Sequence, residues 1–179
     1  MQKFCAALVA GLLLALPLEA TVLVSADLPT LVREAGVIVR GRVARTETRW
    51  RGDRRGVETL VTLDVDAHLK GAPAGSVTFV VPGGRMGRFR NVVVGAPQFV
   101  EAQQVIVFLG HRGPSLPFVL GLTQGLFRLQ RADASWVVVP PAAAETGTHA
   151  TPVVRGDPAR RPIALDAFER RVRALVEVR

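Results

Sequence analysis

The residues best suited to chemistry in this chain are arginines interleaved with glycine, methionine and phenylalanine in Gly83-Gly84-Arg85-Met86-Gly87-Arg88-Phe89-Arg90. The glycines resemble those of a phosphate-cradling loop. The segment lacks the Lys-Ser/Thr ending of a P-loop and is followed by no helical pattern, so its glycines are assigned to a long loop between strands. Its arginines, with Met86 and Phe89 exposed among them, make Arg85, Met86, Arg88, Phe89 and Arg90 the first candidate contact surface. A second candidate is the run Val37 to Trp50, VIVRGRVARTETRW, into which Arg40, Arg42, Arg45 and Arg49 intrude before Trp50. These arginines either bind a polyanion or keep one sheet face wet. The acidic Glu58, Asp64 and Asp66 of the following strand favour cross-strand charge pairs and hence the solvated face.

Other chemistries find little support. Cys5 is the one cysteine in the sequence, and His68, His111 and His149 stand far apart with no paired ligand spacing. Ser25, Ser76, Ser115 and Ser135 have no histidine and acidic partner at recognisable spacing. No metal, cofactor or catalytic residue is therefore expected. A hydrolase whose site assembles from distant residues is the alternative, since acid–base pairs need not be close in sequence.

The elements that must position these residues follow from pattern. The opening MQKFCAALVAGLLLALPLEA carries Lys3, an apolar run from Phe4 to Leu16, Pro17 and a small residue at Ala20, the layout of a signal peptide over residues 1–20. The run is short for a bilayer span, and no Lys or Arg follows Ala20 until Arg33, so no transmembrane segment is expected after cleavage. The expected location is the periplasm or the medium. The mature chain would have no cysteine and would be held by packing alone. Basic residues number 23 against 15 acidic, a formal charge of +8 that attracts anionic polymers and lipid surfaces.

Asp27 and Pro29 open a short helix whose Leu28, Leu31, Val32 and Ala35 share a face, and Gly36 is expected to stop it. Val37–Trp50 and Val57–Lys70 form a long hairpin across the turn Arg51–Gly56. Strict alternation puts Val57, Thr59, Val61, Leu63, Val65, Ala67 and Leu69 on its inner face. On the first strand, Val37, Val39, Gly41 and Val43 point in, whereas Ile38, Arg40 and Arg42 point out. Further strands are expected at Ser76–Val81, Gln104–Leu109, Phe118–Leu129 and Ser135–Val139, giving an antiparallel barrel domain over residues 21–139. Pro140 to Pro162 reads as an irregular Pro/Ala-rich arm. Ile163 to Val178 is amphipathic, with Leu165, Phe168, Val172, Leu175 and Val176 in one stripe that docks on the barrel. Asp166–Arg170 and Glu169–Arg173 are spaced to pair on its outer face.

The order Asp27-Leu28, Val37-Ile38-Val39-Arg40-Gly41-Arg42-Val43, Leu69-Lys70-Gly71, Val81-Pro82-Gly83-Gly84, Gly95-Ala96-Pro97-Gln98-Phe99, Val105 to Leu109 and Leu122 to Leu129 resembles a family of uncharacterised exported bacterial β-barrel proteins. The helix followed by VIVRGRV and a long hairpin is also similar to the start of netrin-like domains, the OB-type barrels that include the tissue inhibitors of metalloproteinases. That resemblance implies a mainly β, OB-like barrel with a short helix before it and an amphipathic helix after it. The chain departs from those inhibitors where they carry an amino-terminal cysteine and disulfides, so inhibition by that route is not implied. OB-type barrels bind single-stranded nucleic acid with stacking aromatics, and around this hairpin Trp50 alone is available, so nucleic acid is not the expected partner. The expected function is that of an exported, monomeric, non-catalytic module contacting a protein or an anionic envelope polymer.

Overall fold

In a computed structural model, the chain is described at residues 26–52, 54–72, 75–141 and 162–178. The expected signal peptide and most of the expected arm lie outside these residues. The described chain opens on helix α1, Leu28–Glu34, where the Oδ1 of Asp27 accepts the backbone N–H of Thr30 at 2.9 Å. The capped turn buries Leu31 and Val32. Gly36 does not end it through a left-handed turn. Ala35 is already extended, and the Gly36 N–H reaches Leu109 O at 2.9 Å, so the helix runs straight into the sheet.

The protein is mainly β. Strands β1 (Val37–Trp50) and β2 (Val57–Lys70) form the hairpin at the expected bounds, with Arg42 opposite Asp64 and Arg49 opposite Glu58. β3 (Ser76–Pro82) extends it antiparallel. Beyond a separate small ribbon of β4 (Gly84–Met86) and β5 (Phe89–Asn91), β6 (Gln104–Gly110) lies against β1 along one edge. The other edge of β6 carries β7 (Phe118–Val119) and β8 (Leu126–Ala132), and β7 also makes a parallel bridge to β3. β9 (Ser135–Val139) pairs with β8, and β10 (Ile163–Ala164) pairs with β9 and leads into helix α2, Leu165–Glu177. The expected strand Phe118–Leu129 is therefore two strands. Gly121 and Leu122 both take positive φ, which ends β7 and starts a 3-10 turn at Leu122–Gly125. The final helix likewise starts at Leu165 rather than Ile163, because Ile163 and Ala164 are committed to the sheet.

Two apolar layers share this sheet. Val39, Val43, Val61, Leu63, Phe79, Val105, Val107 and Leu126 make one; Ile38, Ile106, Phe108, Phe127 and Leu129 make the other, together with Leu31, Val32, Phe168 and Val172 of the helices. β6 reads as a continuous apolar run because both of its faces are covered. The same cover corrects the assignment of Ile38 to the solvent face. It is fully buried beneath the helices, while its neighbour Val39 is fully buried on the other side.

Alternation on β2 also breaks. Its ladder to β1 skips Asp66 and Leu69, and Leu69 joins the layer beneath the helices rather than that of Leu63. A bulge inserts one residue and shifts the side-chain phase, so a two-residue period no longer predicts the face. Gly41 follows from the same crowding. A Cβ there would collide with the Asp64 carbonyl, and a glycine lets the two strands close.

Candidate contact surface at the hairpin end

Most of the β1 arginines are absorbed by the sheet itself. Arg42 meets Asp64 at 3.4 Å, Arg45 meets Glu47 at 2.9 Å and Arg49 meets Glu58 at 2.8 Å, all at the surface. Arg40 differs. Its Nε donates to Glu169 Oε1 at 2.8 Å, and Asp66 lies 3.9 Å from its Nη1. Glu169 also accepts from Arg173 at 3.0 Å, yet its side chain is only 12% exposed. The expected outer-face position of Glu169 is thus corrected: it faces the sheet because Arg40 draws it there. The expected Asp166–Arg170 pair does lie outside, at 2.8 Å.

Trp50, the last residue of β1, has a different neighbour. Its ring meets that of Phe89 at 5.3 Å between centroids, with the planes at 68°, an edge-to-face contact. The guanidinium of Arg88 sits 5.4 Å from the same Phe89 ring, within cation–π range. The two candidate surfaces read from the sequence therefore join at one point, where Trp50 and Phe89 remain 40% and 51% exposed.

The local fold explains how β4 and β5 reach that point. The segment expected as a long loop is a two-stranded ribbon, with Met86 opposite Phe89 and Arg85 opposite Arg90. It is tied to β2 by the Gly83 N–H on Val57 O at 3.1 Å and by the Thr59 hydroxyl donating to Gly83 O at 2.8 Å. Gly84 has φ +144°, and a Cβ there would lie 2.6 Å from Thr59 Oγ1 and 2.7 Å from Thr48 Cγ2. Only glycine lets the ribbon lie this close to the long hairpin.

Between the ribbon and the sheet is a cleft of about 330 Å³. Arg85, Arg90, Asn91 and Gln98 line it with Thr46 and Thr59, and Val61, Val81 and Phe99 supply apolar wall. Of these cleft residues, only the arginines are contact candidates on the sequence alone. The cleft residues come from five separate stretches of chain, and no local spacing unites them. The lining contains no Asp, Glu, His, Ser or Cys.

His68 and His111 are exposed, and His149 and Ser25 lie outside the described residues. Ser76 and Ser115 are exposed too, and the Ser135 hydroxyl donates to Ala132 O at 3.2 Å. Among the described residues, no three His, Cys, Asp or Glu side chains are grouped to hold a metal ion, and no helix is long and apolar enough to cross a membrane. The carboxyls held below their ordinary range, Asp27 and Asp166, belong to the beginnings of the two helices and not to the cleft. No family model, curated protein or solved structure matches the chain.

Proposed function

We propose that this protein is an exported, non-catalytic binding module whose contact surface is the composite of the β4–β5 ribbon and the end of the β1–β2 hairpin. The observation that carries the reading is the Trp50–Phe89 contact, which gathers exposed aromatic surface beside Arg85, Arg88 and Arg90. Large flat aromatics ringed by arginine are the groups that most often dominate protein contacts, and the same cations attract anionic polymers. The lining of the adjacent cleft, which offers threonine hydroxyls but no Asp, Glu, His or Cys to activate them, supports a binding role over a hydrolytic one. For the scaffold we infer an OB-like, netrin-like barrel. The circuit of pairings β1–β2–β3–β7–β6 and back to β1 supports that closure. Export rests on the amino-terminal pattern alone.

The test is charge reversal of Arg85, Arg88 and Arg90 to glutamate, read as retention on an immobilised anionic polymer and as crosslinked partners recovered from the cell envelope. Folding should survive, because exposed substitutions usually change stability by less than about 0.5 kcal/mol. Retention and crosslinks should disappear. Should R40E/R42E abolish retention while the ribbon variant keeps it, the binding face is the β1 strand and the proposal fails.

A further inference from the structure

We propose that the cleft beside the β4–β5 ribbon binds a small apolar carboxylic acid, with its carboxylate between Arg85 and Arg90 and its body against Val61, Val81 and Phe99. This rests on the contact-surface reading, since both arginines belong to that surface.

Arg85 and Arg90 are directly opposed across the ribbon, so their side chains leave it on one face. Like charges in that arrangement destabilise a two-stranded pair. Neither has a carboxylate partner among the described residues; Arg85 donates instead to Gly87 O at 3.3 Å. On β1, by contrast, Arg42 and Arg49 stand opposite the acids Asp64 and Glu58. A three-residue strand pair that retains two facing cations gains from an anion placed between them.

Both arginines line the cleft, and so does apolar surface continuous with the inner core layer. Guanidinium groups grip carboxylates through paired N–H donors, and Asn91 and Gln98 add neutral amides at the same opening. The volume of about 330 Å³ is at the small end of ligand sites, which selects a short body rather than a long chain. A ligand with charge but no apolar part leaves the wall wet, and one with no charge leaves the arginines opposed.

Titration calorimetry of the purified protein with octanoate, octanamide, acetate and inorganic phosphate tests this. Octanoate should bind saturably, one per chain, and the other probes at least about tenfold more weakly, as expected when charged hydrogen bonds or apolar burial are lost. R85Q and R90Q should each weaken octanoate by about tenfold or more. Without ligand, both variants should melt at a higher temperature than the parent, because the facing charges are gone.

Equal binding of octanamide would reduce the site to an apolar crevice, and equal binding of phosphate or acetate would reduce it to an ion contact. Either result, an absence of octanoate binding, or a lower melting temperature of the ligand-free variants overturns the proposal. If octanoate fails while reversal of Arg85, Arg88 and Arg90 still abolishes polymer retention, the inference falls alone. If both fail, the contact-surface reading falls with it.

Discussion

Arg40 and Glu169 are separated by 129 residues, and their side chains meet at 2.8 Å beneath α2. With 26% and 12% exposure, each is too covered to be hydrated fully once its partner is gone. Glu169→Ala should therefore destabilise the domain by about 1–3 kcal/mol in urea unfolding. Arg42→Ala removes a pair that is more than half exposed and should cost about 0–1 kcal/mol. Equal losses for the two would mean that α2 does not cover Arg40 in solution.

The two core layers make a second comparison. Leu63 and Ile38 are both fully buried but lie on opposite faces of the sheet. Replacing either by alanine should cost about 2–5 kcal/mol. Thr62, half-buried with its hydroxyl 3.0 Å from that of Thr78, should lose less on truncation to alanine. An innocuous Ile38→Ala would restore the solvent-facing register for the start of β1.

Gly41→Ala forces a methyl group against the Asp64 backbone. Neither strand can retreat without breaking the ladder, since β6 holds β1 from the other edge at the same residue. The expected loss is about 1–3 kcal/mol, as for other overpacked interiors. Thermal unfolding measures it, and an unchanged melting temperature would show that the strands are spaced more loosely than the register requires.

Acid should weaken the helix ends in a defined direction. The Asp27 carboxyl lies below its ordinary 3.8 because the Thr30 side chain and then its backbone N–H bond to the charged form. Asp166 is lowered chiefly by its hydrogen bond with Arg170. A lowered folded pKa gives stability that is complete above the ordinary value and is lost as pH falls through the folded one. Stability should thus decline below about pH 4. Asp27→Asn keeps a capping oxygen but cannot titrate, so its decline should be shallower; an identical acid slope would remove Asp27 from the account.

The hairpin is legible because Val37–Trp50 is β-branched and extended, Val57–Lys70 alternates over a long run, and the turn between them is rich in glycine and arginine. Which faces are covered is not. Alternation distinguishes two faces of a strand but does not say that α2, more than a hundred residues later, will lie on one of them. Ile38, Arg40 and Glu169 were misplaced for that single reason. Asp66 and Leu69 escaped because a bulge leaves no mark in a hydrophobic pattern. In the candidate site the arginines and aromatics were readable as residue types, whereas the meeting of Trp50 with Phe89 depends on a ribbon whose approach is set by Gly84.

Strand β6 has a consequence for how the molecule comes apart. Its residues bond to β1 on one edge and to β7 and β8 on the other, and they feed both apolar layers in alternation. Local fraying is not expected to release the amides of Val105 to Leu109, so their exchange with deuterated solvent should wait for the whole domain to open. The helices, the long hairpin and the last strands are therefore expected to open together in one cooperative transition. The ribbon of β4 and β5 forms no ladder with that sheet and is held to it through Gly83 and the Trp50–Phe89 contact, so its amides are expected to exchange before those of β6.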